Sequence, residues 1–184
     1  IMIPAFGFNN TILSKALFLQ HFAKPTHSTI DIWYYMKEDN VPRIAIQVTY
    51  ENLTTDSFLI HNSAGEWVTA AYRELSSYFT AWNTFTEQPT SILAYVQRYK
   101  FNAAYIESYV SDSKGENITI ENVVHSVEPQ SDRYQVNEKY VGSGAGPYEG
   151  FLALDILFKI ESSSGAPHHY NFAKPCPKLC DVAI

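Results

Sequence analysis

The sequence predicts an α+β fold, mainly antiparallel β-sheet with one or two helices packed on one face. Three observations lead to it. Runs of β-branched and aromatic residues bounded by turn residues recur along most of the chain. One stretch, from about residue 65 to 85, carries apolar residues at helical spacing. Strands come before and after that helix without the regular alternation of strand and helix that builds a parallel sheet.

Taken in order, Thr11 reads as the cap of a short helix in which Ile12, Ala16, Leu19 and Phe22 recur at helical spacing, ending before Pro25. Ile30 to Met36 and Arg43 to Tyr50 flank Lys37-Glu38-Asp39-Asn40-Val41-Pro42 and read as a β-hairpin. Ser57 to His61 adds a short strand, followed by a turn at Asn62-Ser63-Ala64-Gly65. Ser63 and Glu66 have capping-box spacing ahead of Trp67, Ala71, Leu75, Tyr78 and Trp82, so the helix is expected from about 65 to 85. Between Thr90 and Asp112, Ile92, Val96, Tyr99, Ala103, Ile106 and Val110 form a helical stripe. The same stretch is rich in strand-favouring Tyr, Ile and Val, and it is read as two strands turning near Asn102. Asn117 to Val127, Arg133 to Val141 and Phe151 to Glu161 then read as consecutive strands of an antiparallel meander.

Of the 184 residues, 46% are hydrophobic, 15% aromatic and 17% charged, against a usual charged share of about 25%. Such a chain must bury a core, which excludes a disordered protein. A single domain over residues 1–161 is expected, with 162–184 as a flexible join at Ser162-Ser163-Ser164-Gly165-Ala166-Pro167 and a Cys-containing tail. The least polar stretch, Gly150 to Ile160, is interrupted by Asp155 and Lys159, far short of the roughly 20 residues of a membrane helix. A formal charge of −6 without a basic cluster argues against nucleic acid as a partner.

Three features suit a secretory origin. The chain begins Ile1-Met2-Ile3-Pro4 rather than with Met, as after removal of a leader. Sequons stand at Asn9, Asn52 and Asn117, a mild excess over the roughly 1.7 that chance supplies for 11 Asn among 28 Ser and Thr. Both cysteines, Cys176 and Cys180, lie in the tail and are expected to form a disulfide with each other or with another chain. Zinc is disfavoured at Cys176, Cys180, His168 and His169, since the CxxC spacing of structural sites is missing, and no cofactor is expected.

Catalytic motifs fail on context. Gly142-Ser143-Gly144-Ala145-Gly146 joins two expected strands, contains no GxGxxG or P-loop pattern, and is followed by Pro147. Ser143 has Val141 two residues before it, so it is no nucleophile elbow. His21, His27, His61, His125, His168 and His169 form no metal-binding pair on one helix face. His125, in an alternating strand with Val123 and Val127, either points inward beside a carboxylate such as Asp155 as an acid/base pair or is an ordinary sheet histidine, the reading the sequence favours.

Thirteen Tyr residues against eleven Phe tilt the aromatics towards the amphipathic type enriched in recognition surfaces. Trp33, Tyr35, Tyr95, Tyr99, Tyr105 and Tyr109 are the candidate binding residues, an external binding surface being weighed slightly ahead of packing on a half-buried sheet face. The expected function is that of a non-catalytic, extracellular glycoprotein module recognising a protein or glycan. A carrier of a small apolar ligand between sheet and helix is the alternative, and a cone-shaped α+β enzyme using His125 and a carboxylate is the second.

Overall fold

Two antiparallel sheets and one long helix are stacked in three layers. The computed structural model describes residues 11–22, 27–50, 53–86, 96–127, 151–161, 164–170 and 174–176. Strands β1 (Thr11–Ser14), β7 (Asn117–Val127), β8 (Phe151–Glu161) and β9 (Pro167–Tyr170) form one sheet, in the order β1-β7-β8-β9. Strands β2 (His27–Met36), β3 (Pro42–Tyr50), β4 (Leu53–His61), β5 (Trp67–Ala71), β6 (Arg98–Asn102) and β10 (Lys174–Cys176) form the other, in the order β10-β6-β2-β3-β4-β5. Every recorded strand pair is antiparallel, as the sequence predicts for an α+β fold.

The sheets face each other across one apolar cluster. Leu13, Ile118, Ile120, Ile156, Phe158 and Ile160 alternate along the smaller sheet, and Ile30, Ile32, Tyr34, Ile44, Ile46, Tyr99 and Phe101 along the larger. Phe101 meets Phe158 edge to face at 4.7 Å, the geometry the ring quadrupoles favour. Helices α1 (Lys15–Phe22) and α3 (Ala103–Asp112) pack on each other and send Phe18, Ile106 and Val110 into this cluster.

The outer face of the larger sheet is covered by helix α2 (Tyr72–Thr86), whose Leu75 and Phe79 join Tyr35, Ala45 and Phe58 in a second cluster. Further along, Trp82 belongs to the cluster between the sheets: its ring lies 5.2 Å from Tyr34, and its indole N–H donates to the Val96 carbonyl at 2.8 Å. Among the described residues, no helix is long and apolar enough to cross a membrane.

Several boundaries differ from the sequence reading, each for a local reason. Thr11 does not cap a helix, because Thr11–Ser14 pair with Asn117–Ile120 as a strand. Ser14 is the cap, its hydroxyl accepting from the Leu17 N–H at 3.1 Å. Lys15 then reaches the carbonyls of Ser111 (3.2 Å) and Ser113 (2.8 Å), where the end of α3 concentrates negative potential.

The Ser63 and Glu66 spacing is not a capping box. The Asn62 carboxamide accepts from the Ala64 and Glu66 N–H groups, both at 2.9 Å, and Gly65 takes φ +77°. That turn closes a β4–β5 hairpin, so Trp67 and Ala71 fall on a strand rather than on the helix. Helix α2 starts later, with the Glu74 carboxylate accepting from the Ala71 N–H at 2.6 Å.

Residues 98–112 are one strand and one helix, not two strands. Asn102 ends β6 and caps α3, accepting from the Ala104 N–H at 3.0 Å. Residues 167–170 and 174–176, read from the sequence as tail, pair with β8 and β6. The expected strand at 133–141 and the glycine run at 142–146 lie outside the described residues. β7 and β8 are direct neighbours, Ile118 opposite Ile160 and Val127 opposite Phe151.

Candidate functional site

Both faces of β2 are covered, one by the smaller sheet and the other by α2, and this reassigns the candidate aromatics. Consecutive Trp33, Tyr34 and Tyr35 are all packed. Tyr99, with no exposed area, lies between the sheets with its ring 6.2 Å from Tyr34 and offers no surface to a partner. Trp33 is half-buried under α2, 5.0 Å from the Phe79 ring, with the Arg98 guanidinium 4.7 Å above it and its indole N–H donating to Gln47 at 2.9 Å. Tyr35 is 1% exposed and packs edge to face on Phe79. The surface reading of Tyr99 is therefore corrected, because the smaller sheet covers its face; Tyr35 packs under α2 and also borders the cleft described next. Tyr109 is exposed on α3, whereas Tyr95 and the side chain of Tyr105 lie outside the described residues.

Among the described residues, a cleft of about 250 Å³ opens at one end of the two-sheet stack. Thr11 of β1 and Asn122 of β7 line it from the smaller sheet. Ile44 of β3, His61 of β4 and Trp67 of β5 line it from the larger, with Tyr35, Val41, Pro42 and Arg43 at the start of β3, and Asn62. The hairpin register explains the pairing of two of these, since β4 and β5 place His61 directly opposite Trp67. Their rings meet edge to face at 4.1 Å, and the Trp67 indole N–H is held by the Ile12 carbonyl at 2.9 Å. One indole thus ties the two sheets together at the mouth.

The charges of the cleft are largely settled within the protein. Asp39 and Arg43 form a two-pronged ion pair across the β2–β3 turn, with Arg43 Nη1 2.8 Å from Asp39 Oδ1. That guanidinium, helped by the Val41 N–H, holds the Asp39 carboxyl well below the usual carboxylate range, and Arg43 is raised in return. Burial pushes the Tyr35 hydroxyl up, so it stays neutral. Burial pushes His61 down, because the imidazolium loses hydration there. A His lowered on folding binds protons more readily when unfolded. Its contribution to stability is therefore present above about pH 6.5 and is lost as pH falls from there towards its folded value.

Hydrogen-bonding capacity is left over. Asn122 Oδ1 accepts a long bond from the Tyr34 hydroxyl at 3.4 Å, and its Nδ2 donates to nothing among the described residues. The His61 imidazole likewise makes no hydrogen bond among the described residues. Asn62, by contrast, spends its carboxamide on the turn and on Glu66 Oε2 at 3.2 Å. Among the described residues, no group of three or more His, Cys, Asp or Glu could hold a metal ion.

Sequence reasoning missed this site because its members are far apart in the chain and carry no motif. The one available signal was the β4–β5 hairpin, which pairs His61 with Trp67 once Asn62-Ser63-Ala64-Gly65 is read as its turn. For the His125 and Asp155 pairing, the backbone registers His125 with Ala153 and Asp155 with Val123. Their side chains lie outside the described residues. Of the three sequons, Asn117 is exposed at the start of β7, and Asn9 and Asn52 lie outside the described residues. Cys176 ends β10 opposite Arg98, and Cys180 also lies outside them. No family model, curated protein or solved structure matches the chain.

Proposed function

We propose that the protein is a non-catalytic recognition module of an extracellular glycoprotein and that it engages its partner at the cleft between the two sheets. The observation that carries this reading is the make-up of the cleft. It combines aromatic area from Trp67 and His61 with hydrogen-bonding groups of His61 and Asn122 that are unspent among the described residues, while its strong charge, Arg43, is already neutralised by Asp39. Mixed aromatic and neutral polar lining gives orientation and specificity to a bound group. General acid/base chemistry calls instead for a proton donor and acceptor in mutual reach, and a neutral imidazole beside an indole is not such a pair.

The extracellular part of the proposal rests on the three sequons and on the exposure of Asn117. Capture on arrays of extracellular proteins and glycans, using protein made through a secretory host, tests both parts. Retention of a partner by the wild type, with at least tenfold weaker retention by His61→Ala combined with Asn122→Ala, is expected, since each removes a hydrogen-bonding group worth about 1 kcal/mol or more. The intact mass of the same sample should exceed the polypeptide by a glycan on Asn117. Undiminished capture by the double variant would remove the cleft from the account, and a bare Asn117 would remove its best support for secretion.

A further inference from the structure

We infer that the cleft accommodates a neutral polyhydroxyl ring, a single saccharide residue of a glycan, with its hydroxyls on His61, Asn122 and Thr11 and its C–H face on Trp67. This rests on the recognition reading and narrows it to one ligand class.

Size sets the first limit. At about 30 Å³ for each water in the liquid, a space of about 250 Å³ equals roughly eight waters. That is room for one small ring. A longer glycan would project from the mouth.

Charge sets the second. Arg43 is the one charged side chain among the described lining residues, and Asp39 already holds both of its terminal nitrogens. An anionic ligand would have to compete with a carboxylate tethered four residues away, and a cation would meet the Arg43 guanidinium. The neutral form of His61, favoured by its burial, adds no charge.

Hydrogen-bond complementarity sets the third. A neutral imidazole offers one N–H donor and one acceptor nitrogen. The Tyr34 hydroxyl engages Asn122 Oδ1 and thereby leaves the amide Nδ2 to donate. The Thr11 hydroxyl can do either. Adjacent ring hydroxyls also donate and accept, so they satisfy this set as neither a hydrocarbon nor a simple ion does. The indole, fixed by the Ile12 carbonyl, supplies apolar area at no further ordering cost.

The test is a titration of isotopically labelled protein with methyl glycosides of neutral sugars, followed at the His61 Cε1–H and Asn122 Nδ2 resonances. Acetate, phosphate and methylammonium serve as charged probes. Saturable shifts with at least one glycoside and none with the charged probes are expected. Affinity should fall about tenfold in Asn122→Ala and in Thr11→Val. The Trp67 indole N–H resonance, held by Ile12, reports that each variant keeps the local fold. Protonation of His61 replaces its acceptor with a second donor, so the glycoside affinity should also fall on acidification. Shifts produced only by a charged probe, or by no glycoside, would overturn the saccharide. If cleft substitutions still abolished partner capture, the recognition reading would survive that result. If capture were unaffected as well, both would fail.

Discussion

Trp82→Ala is expected to cost about 3–5 kcal/mol of folding free energy, the range for removing a large aromatic from a packed interior. Trp82 is 1% exposed and lies against the Tyr34 and Phe85 rings. Truncation also leaves the Val96 carbonyl without its donor, a further buried loss. In a domain of this length each kcal/mol moves the melting temperature by about 2–4 °C, so a drop of about 6–20 °C should appear in thermal denaturation. Trp82→Phe separates the two causes, because it retains most of the ring area and removes only the N–H. It should recover more than half of the loss. A melting temperature within a degree or two of wild type for Trp82→Ala would mean that α2 does not reach the inter-sheet core.

Leu75→Ala probes the other side of the larger sheet and should cost about 2–5 kcal/mol, read from urea unfolding. Leu75 is 2% exposed and closes the outer cluster with Tyr35, Ala45, Phe58 and Phe79. A solid interface pays this full penalty, because the neighbouring side chains relax only partly into the space left behind. A container for an apolar ligand between sheet and helix would behave otherwise. There, truncation would cost little, and the wild type would bind an apolar dye tightly and saturably, with Leu75→Trp abolishing it. The contacts of Phe79 with Trp33 at 5.0 Å and with Phe58 at 5.3 Å argue for the solid interface.

The parts of the fold legible in the sequence are those where alternation and turn chemistry agree. The β2–β3 hairpin emerged because Asp39 and Asn40 sit between two β-rich runs, and Asn40 takes the left-handed conformation the turn requires at φ +56°. Strands β7 and β8 emerged from alternation alone, with Ile118 and Ile120 facing inward on one and Ile156, Phe158 and Ile160 on the other. The boundaries that failed did so where a side chain had two local uses. Asn62 closes a hairpin in competition with a helix start at Ser63, and Asn102 caps a helix where a turn between strands would also employ it. Nothing local decides such cases, because the choice depends on which sheet edge is available to pair.

The burial of Tyr34 and Tyr99 was not legible for a related reason. Trp33, Tyr34 and Tyr35 alternate across β2 as any strand does, and the sequence does not reveal that α2 and a second sheet cover its two faces. The cleft was invisible for the opposite reason: Thr11, Arg43, His61, Trp67 and Asn122 come together only once the two sheets are stacked.

The most direct test of the account is where a captured partner touches the protein, measured by backbone hydrogen exchange with and without it. Binding at the cleft predicts slowed exchange in β1 near Thr11, at Val41 and Arg43 at the start of β3, across the β4–β5 hairpin from His61 to Trp67, and in β7 near Asn122, with the exposed side of α2 and of α3 around Tyr109 unchanged. Protection centred on α2 or on Tyr109, with the His61–Trp67 hairpin exchanging as fast as in the free protein, would contradict it.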